Sequence, residues 1–329
     1  MNRPIIDIHC DLLIYLTRQS SNIETLDDVG CSLPHLRAGN VKLQTMAIFA
    51  PTEPNSHKLG LEQSHIFKEL KHSTTCGNDL YEIEKNHLQN LDTQEKIGMV
   101  ASIENASAFC DEAISLKEGF ENLKEITTNV GKLFYISLTH HAENRFGGGN
   151  YSSVGLKDDG KALIDHLAGK KIALDFSHTS DALATDMLTY LAKQNLNIPI
   201  IASHSNYRPV WDHPRNLPDD IAKEIIHKEG LIGVNFLRAF VNNDDTNALY
   251  DHIAYGLDLG GKDAICYGAD YFFTGTHPDQ SRIPFYYPEH ENAGKYQDIN
   301  AEVEKRFGSE FCDKLSHKNA ERFLNELWK

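Results

Sequence analysis

No stretch of this chain approaches the roughly 18–20 consecutive apolar residues of a membrane-spanning helix. Basic residues are also in short supply. Lys and Arg number 32 against 47 Asp and Glu, a formal net charge of −15. A nucleic-acid binder needs a basic face to neutralise phosphates, and a protein that docks on anionic lipid needs one too. Neither nucleic acid nor membrane is therefore expected as a partner. The six cysteines (10, 31, 76, 110, 266 and 312) form no C-x-x-C pair, which fits reduced thiols rather than a disulfide framework. Met1-Asn2-Arg3-Pro4 leads straight into an apolar strand, and no hydrophobic tail closes the chain. Neither a signal peptide nor a lipid anchor is expected, so the expected location is cytoplasmic. There is no internal repeat and no low-complexity linker. The 329 residues, 40% hydrophobic and 24% charged, have ordinary globular composition and are expected to form one domain, 1–329.

What is present is a regular alternation. Apolar runs of strand length occupy Ile5–His9, Leu43–Ala50, Ile97–Ile103, Leu133–Leu138, Ile172–Phe176, Ile198–Ala202, Leu231–Phe236 and Ala264–Tyr267. Most are near-continuous rather than alternating, as parallel strands covered on both faces require. Helical patterns fall between them: Leu61–Leu70, Asp79–Leu91, Glu112–Thr128, Lys157–Leu167, Asp181–Gln194, Asp219–Lys228 and Asn247–Leu259, with Ala301–Phe307 and Glu310–Leu327 last. Ser180 suits an N-cap, Pro218 a first helical turn and Gly260-Gly261 a stop. Eight strand-then-helix units in order predict an α/β fold of the (β/α)8 type, with an open doubly wound sheet as the alternative. Two connections are long, 12–42 after the first strand and 272–300 after the last. Loops of that length are commonly lids or insertions. Tyr271, Phe272, Phe273, Tyr286 and Tyr287 in the second are candidates to line a side-chain pocket.

The barrel is preferred because of where the polar residues fall. His9 and Asp11 end the first strand, Glu104 the third, His140 the fourth, His178 the fifth, His204 the sixth and Asp270 the eighth. In a barrel these six strand ends converge on one mouth. Any one of them alone is weak, since a His at a strand end is usually just a satisfied polar group. Together they are specific, because crowded carboxylates repel unless a cation joins them. His9 and Asp11, two residues apart on a strand, point the same way and reach one ion together. His9, Asp11, Glu104, His178 and His204 make five ligands, more than the three that one catalytic metal uses. Five serve two ions about 3.5–4 Å apart if one carboxylate bridges, and Glu104 lies between the two sets. Imidazole and carboxylate suit zinc, and manganese and iron accept the same donors.

Asp7-Ile8-His9-Cys10-Asp11-Leu12, Leu138-Thr139-His140, Asp175-Phe176-Ser177-His178 and Gly268-Ala269-Asp270 resemble segments of the renal (membrane) dipeptidase family of zinc metallopeptidases, peptidase family M19. So does the longer run Pro199–Asn206 followed by His213–Asp220. Asn319-Ala320-Glu321-Arg322-Phe323 resembles that family's closing helix. The resemblance implies an amidohydrolase-like (β/α)8 barrel that hydrolyses dipeptides, including those with a C-terminal D-residue, with two Zn2+ per chain and a homodimeric assembly. It assigns His9 and Asp11 to one metal, His178 and His204 to the other, and Glu104 to the bridge. It makes His140 the group that polarises the scissile carbonyl, Arg215 the holder of the substrate's carboxylate and Asp270 the acid–base residue. Two departures stand out: Asn105-Ala106-Ser107 replaces a glycine-rich turn after Glu104, and Phe272 stands where a second Asp usually follows Asp270.

Other readings compete. A TatD-like nuclease barrel uses similar strand ends, but Asp11 stands where a second His is expected and the net charge is wrong. Barrels bridged by a carboxylated lysine need Lys where this chain has His140-His141. A non-catalytic barrel acting as a binding protein has no reason to retain every ligand type.

Overall fold

Eight parallel strands close on themselves in the computed structural model, which describes residues 2–18, 28–73, 77, 79–275, 277 and 279–329. β1 (Ile5–Cys10) pairs with β2 (Val41–Phe49), and the ring continues through β4 (Ile97–Glu104), β5 (Leu133–Ser137), β6 (Ala173–Asp175), β7 (Ile200–Ala202), β8 (Leu231–Val234) and β9 (Ile265–Tyr267) back to β1. Every pairing is parallel. The fold is a (β/α)8 barrel, with strands where the apolar runs place them.

One predicted helix is absent. Asp79–Leu91 folds instead as strand β3 (Leu80–Glu82), a single turn α4 (Lys85–Leu88) and a 3-10 turn at Leu91–Thr93. β3 pairs with Ile97–Met99 at the start of β4, whereas β5 joins β4 only from Ala101 onward. The exposed backbone of that start needs partners, and β3 supplies them. The 12–42 connection also carries structure of its own, α1 (Leu12–Arg18) and α2 (Leu33–Ala38); residues 19–27 lie outside the described residues, as does Cys76.

The helices are laid around the barrel by local signals. α3 (Ser56–Leu70) follows β2. α5 (Leu116–Val130) opens with a capping box in which Ser115 accepts from the Glu118 amide and Glu118 from the Ser115 amide. α6 (Asp158–Leu167) precedes β6. The Ser180 side chain caps α7 (Asp181–Gln194) as predicted, and Pro218 precedes α8 (Asp219–His227). α9 (Arg238–Val241) and α10 (Ala248–Asp258) follow β8. The chain ends in α11 (Tyr296–Phe307), α12 (Ser309–Asp313), a π-helical turn at Lys314–Lys318 and α13 (Asn319–Leu327). The predicted helix Glu310–Leu327 is thus interrupted by one widened turn.

A cluster of buried side chains takes a member from each of the eight barrel strands: Ile6, Leu43, Val100, Tyr135, Ala173, Ile201, Leu231 and Cys266. Phe323, Leu324, Leu327 and Trp328 of the α13 region complete it. These apolar residues fill the barrel and cap one end, and full burial of each large one contributes about 1.5–3 kcal/mol. The other end, where the strands finish, is left for polar chemistry.

Candidate metal centre and active site

The predicted residues converge at the C-terminal ends of the strands. His9 Nε2 lies 3.6 Å from Glu104 Oε2, 3.5 Å from Asp270 Oδ1 and 3.9 Å from Asp11 Oδ2. On the other side, Glu104 Oε1 lies 2.8 Å from His178 Nε2, 3.4 Å from His204 Nε2 and 3.8 Å from His140 Nε2. One oxygen of the carboxylate is thus nearest His9 and the other nearest His178 and His204, while the His9 and His204 rings stack with centroids 3.6 Å apart. All of these residues except His140 are buried.

The hydrogen bonds behind the imidazoles fix their tautomers. Tyr135 spends its only hydroxyl proton on the Ile8 carbonyl, 3.0 Å away. His9 Nδ1, 2.6 Å from that hydroxyl, must then donate to it, so in the neutral ring Nε2 carries the lone pair. Ser203 gives its proton to Asp175 Oδ2 at 2.7 Å, so His204 Nδ1, 2.7 Å from the Ser203 hydroxyl, also donates. His178 Nδ1 faces the Asn150 side-chain oxygen at 3.2 Å, which can only accept. Three imidazoles thus present bare Nε2 atoms to carboxylate oxygens. The His178 and His204 Nε2 atoms lie 2.9 Å apart, while His9 Nε2 and Asp11 Oδ1 have no hydrogen-bond partner. Lone pairs aimed at one another and at anions repel; a cation among them removes the conflict. Residue sets that could hold an ion are His9-Asp11-Asp270, His9-Glu104-His204 and His140-His141-His178.

Burial sets the electrostatics. It pushes Glu104 up to about 7, against the opposing pull of Arg215, and Asp270 up to about 6. Asp11 is raised well above the usual carboxylate range by burial and then by Glu104. Burial also holds His140, His178 and His204 well below the ordinary histidine value. Both shifts disfavour charge in a dry cavity, and a divalent cation reverses the carboxylate shift while suiting neutral imidazole.

Backbone geometry at the strand ends is specialised. His178 and Asp270 have φ of +63° and +65°, a left-handed conformation that costs a non-glycine residue about 1–3 kcal/mol. Asn105, which follows Glu104, has φ +71°. Its side chain binds the Ser107 amide, the Ala50 carbonyl and the Thr52 hydroxyl. The Asn therefore does the turn-making of the missing glycines. At Gly268 a Cβ would sit 2.0 Å from the Ser203 carbonyl, so glycine lets the end of β9 approach the His204 backbone.

Arg215 is buried, with Nη1 donating to Ser205 and Nη2 to the His204 carbonyl, each at 2.8 Å. Its Nε has no partner. His140 is the more exposed member of the group, its ring 4.2 Å from that of His178. The aromatic candidates of the 272–300 loop lie elsewhere. Tyr271 and Tyr286 are buried, Tyr286 donates to the Asp270 carbonyl, and Tyr287 donates to the Asn242 carbonyl. A cavity beside the mouth is lined from this loop by Ser281, Arg282 and Phe285 instead. The sequence reading missed Tyr135, Asn150, Ser203 and Asn235, which orient His9, His178, His204 and Asp270. Only Asn150 carried a signal, the preceding Gly147-Gly148-Gly149 run.

A sequence model described as membrane dipeptidase (peptidase family M19) matches residues 1–328. The chain belongs to family M19. It is a dipeptidase of the M19 metallopeptidases, a hydrolase that depends on metal. It is 25% identical to an uncharacterised dipeptidase of Schizosaccharomyces pombe, over 92% of this chain and 75% of that one. It is 29% identical over 248 residues to an uncharacterised protein from the pqqA 5′ region of Klebsiella pneumoniae, covering 70% and 83% of the two chains. Its fold matches a metallopeptidase of Rhodobacter sphaeroides solved with a phosphinate mimic of the dipeptide L-Ala-D-Ala, with a TM-score of 0.83, 18% identity and complete coverage of both chains. M19 membership disfavours the nuclease, carboxylated-lysine and non-catalytic readings. Among the described residues no helix is long and apolar enough to cross a membrane.

Proposed function

We propose that this M19 dipeptidase works with two divalent cations, zinc by family and by donor chemistry, held by His9 and Asp11 on one side and His178 and His204 on the other, with Glu104 shared. The observation that carries the reading is the set of bare imidazole nitrogens converging on the two oxygens of Glu104. Cations held there would lower the pKa of a water toward neutrality and draw electron density from a scissile carbonyl. His140, facing the cleft, orients that carbonyl. The N–H groups that Arg215 does not spend on Ser205 and His204 hold the substrate's terminal carboxylate. Asp270, steadied by Asn235 at 2.8 Å, takes a proton from the attacking water and delivers it to the leaving amine. The reading extends to dipeptides ending in a D-residue, the kind mimicked in the R. sphaeroides complex. It also takes the chain as one barrel domain, cytoplasmic and homodimeric, with no nucleic acid or membrane partner.

Arg215→Lys keeps the charge but loses the planar fork. The expected loss in kcat/KM on dipeptides is about 2–3 kcal/mol, the scale of a charge-assisted hydrogen bond. Dipeptide amides should be poor substrates of the wild type. Equal rates on dipeptides and their amides would remove Arg215 from this role.

Metal loading should release protons at pH 6. Glu104, held near 7, and Asp11, raised well above the usual carboxylate range by burial, carry protons in the metal-free protein there. His178 and His204, held well below the ordinary histidine value by burial, are neutral and contribute none. Glu104 and Asp11, both raised by burial, must ionise to bind, so affinity falls as the pH drops below about 7. Calorimetric titrations in buffers of different ionisation enthalpy measure the release; none at pH 6 would contradict the account.

A further inference from the structure

The cavity beside the mouth has a volume of about 360 Å³ and is lined by His213, Arg238, Asn243, Ser281, Arg282 and Phe285, among others. These residues follow β7, β8 and β9, so they belong to the same end of the barrel as the metal ligands. Phe240 joins the cavity to Arg215: the guanidinium groups of Arg215 and Arg282 each lie 5.6 Å from its ring centre. The His213 ring, 4.9 Å from that of Phe240, continues the wall through Tyr151 and His141 to His178, with ring separations of 6.3, 5.0 and 4.9 Å. Tyr151 is 59% exposed, as a residue over an open cleft should be.

The cavity concentrates two cations. Among the described residues Arg3, Arg37, Arg145, Arg208 and Arg306 pair with carboxylates, while Arg322 spends its guanidinium on backbone carbonyls. Among the described residues Arg238 and Arg282 make no such pair; Arg238 instead reaches the Arg282 carbonyl at 3.5 Å, and Arg282 lies over Phe285. The acids nearest in sequence, Asp212, Asp244 and Asp279, are exposed; Asp279 accepts from Ser281 and feels Arg282 only as a more distant charge. Two guanidinium groups without a hydrogen-bonded carboxylate, Arg282 resting on Phe285 and sharing the Phe240 ring with Arg215, whose Nε is unpartnered, make a site for a second carboxylate.

We propose that this cavity is the specificity pocket for the C-terminal residue of the substrate, and that the preferred dipeptides carry Asp or Glu there. The proposal rests on the dipeptidase reading above. A residue whose α-carboxylate meets Arg215 can send its side chain past Phe240 to Arg282 and Arg238. Binding two carboxylates of one residue at two arginine sites also distinguishes the C-terminal from the N-terminal residue, which has an amine in place of the first.

The test is a panel of Ala-Asp, Ala-Glu, Ala-Asn, Ala-Gln, Ala-Leu and Ala-Lys, with the second residue in both L and D forms, plus Asp-Ala, on zinc-loaded enzyme. In the wild type kcat/KM for an acidic second residue should exceed that for its amide by about 10–100-fold, the scale of one charge-assisted pair. Arg282→Gln and Arg238→Gln should each reduce that ratio, and Arg282→Glu should shift preference toward Ala-Lys. The ratio is read within one preparation, so it does not depend on how much of a variant folds. Equal rates on acids and amides, a preference for Asp-Ala over Ala-Asp, or an unchanged ratio in all three variants would overturn the proposal. Hydrolysis of neutral dipeptides without acidic preference would overturn the pocket alone. Failure to hydrolyse any dipeptide would overturn the dipeptidase reading and the pocket with it.

Discussion

Asp270→Asn is expected to lower kcat on a good dipeptide by roughly 10²–10⁴-fold, the usual contribution of general acid–base catalysis, with both metals retained. Asp270 ends the last barrel strand in a left-handed backbone conformation. One of its oxygens is held by Asn235 and the other lies 3.5 Å from His9 Nε2. The Tyr286 hydroxyl holds its carbonyl. An amine leaves poorly unless it is protonated, so losing the titrating group should slow turnover more than binding. Asn keeps the size and the contact with Asn235, which makes KM a control on positioning. Asp270 also sits within reach of His9 and Asp11 as a possible ligand. Loss of one metal from Asp270→Asn would assign it to the ion instead, and retention of both metals with near-normal kcat would remove it from the proton path.

Glu104→Gln is expected to weaken binding at both metal positions, by more than about 100-fold each, since changing even an outer partner of a ligand typically costs 10–100-fold. One of its oxygens is nearest His9 and the other nearest His178 and His204, and an amide offers one acceptor and one donor in their place. The donor would point at a bare nitrogen on one side, so the loss should be unequal. His178→Ala, which touches only one oxygen of Glu104, should mainly empty one position. Metal analysis after dialysis against a weak chelator measures both variants. Two retained ions in Glu104→Gln would show that the carboxylate is not shared.

The strands and the convergence of His9, Glu104, His140, His178, His204 and Asp270 were legible because continuous apolar runs and their polar ends are local features of the chain. The stretch Asp79–Leu91 was misread because its fate depends on an unpaired edge of β4 that no local pattern reveals. The supports of the site were illegible for a similar reason. Tyr135 reads as one more apolar strand residue, yet its hydroxyl decides which nitrogen of His9 is bare. Asn235 and Asn150 come from segments distant in sequence from the side chains they orient. Arg282 lies in a long loop whose aromatics attracted notice, while Tyr271 and Tyr286 turn inward to pack and Arg282 lines the cavity beside Phe285.

The most direct test of a metal pair shared by Glu104 is to titrate metal-free enzyme with zinc while following hydrolysis of one dipeptide. The expected result is no hydrolysis without metal and a rise that breaks at two equivalents of zinc per chain. Full activity at one equivalent, with no further metal taken up, would contradict it.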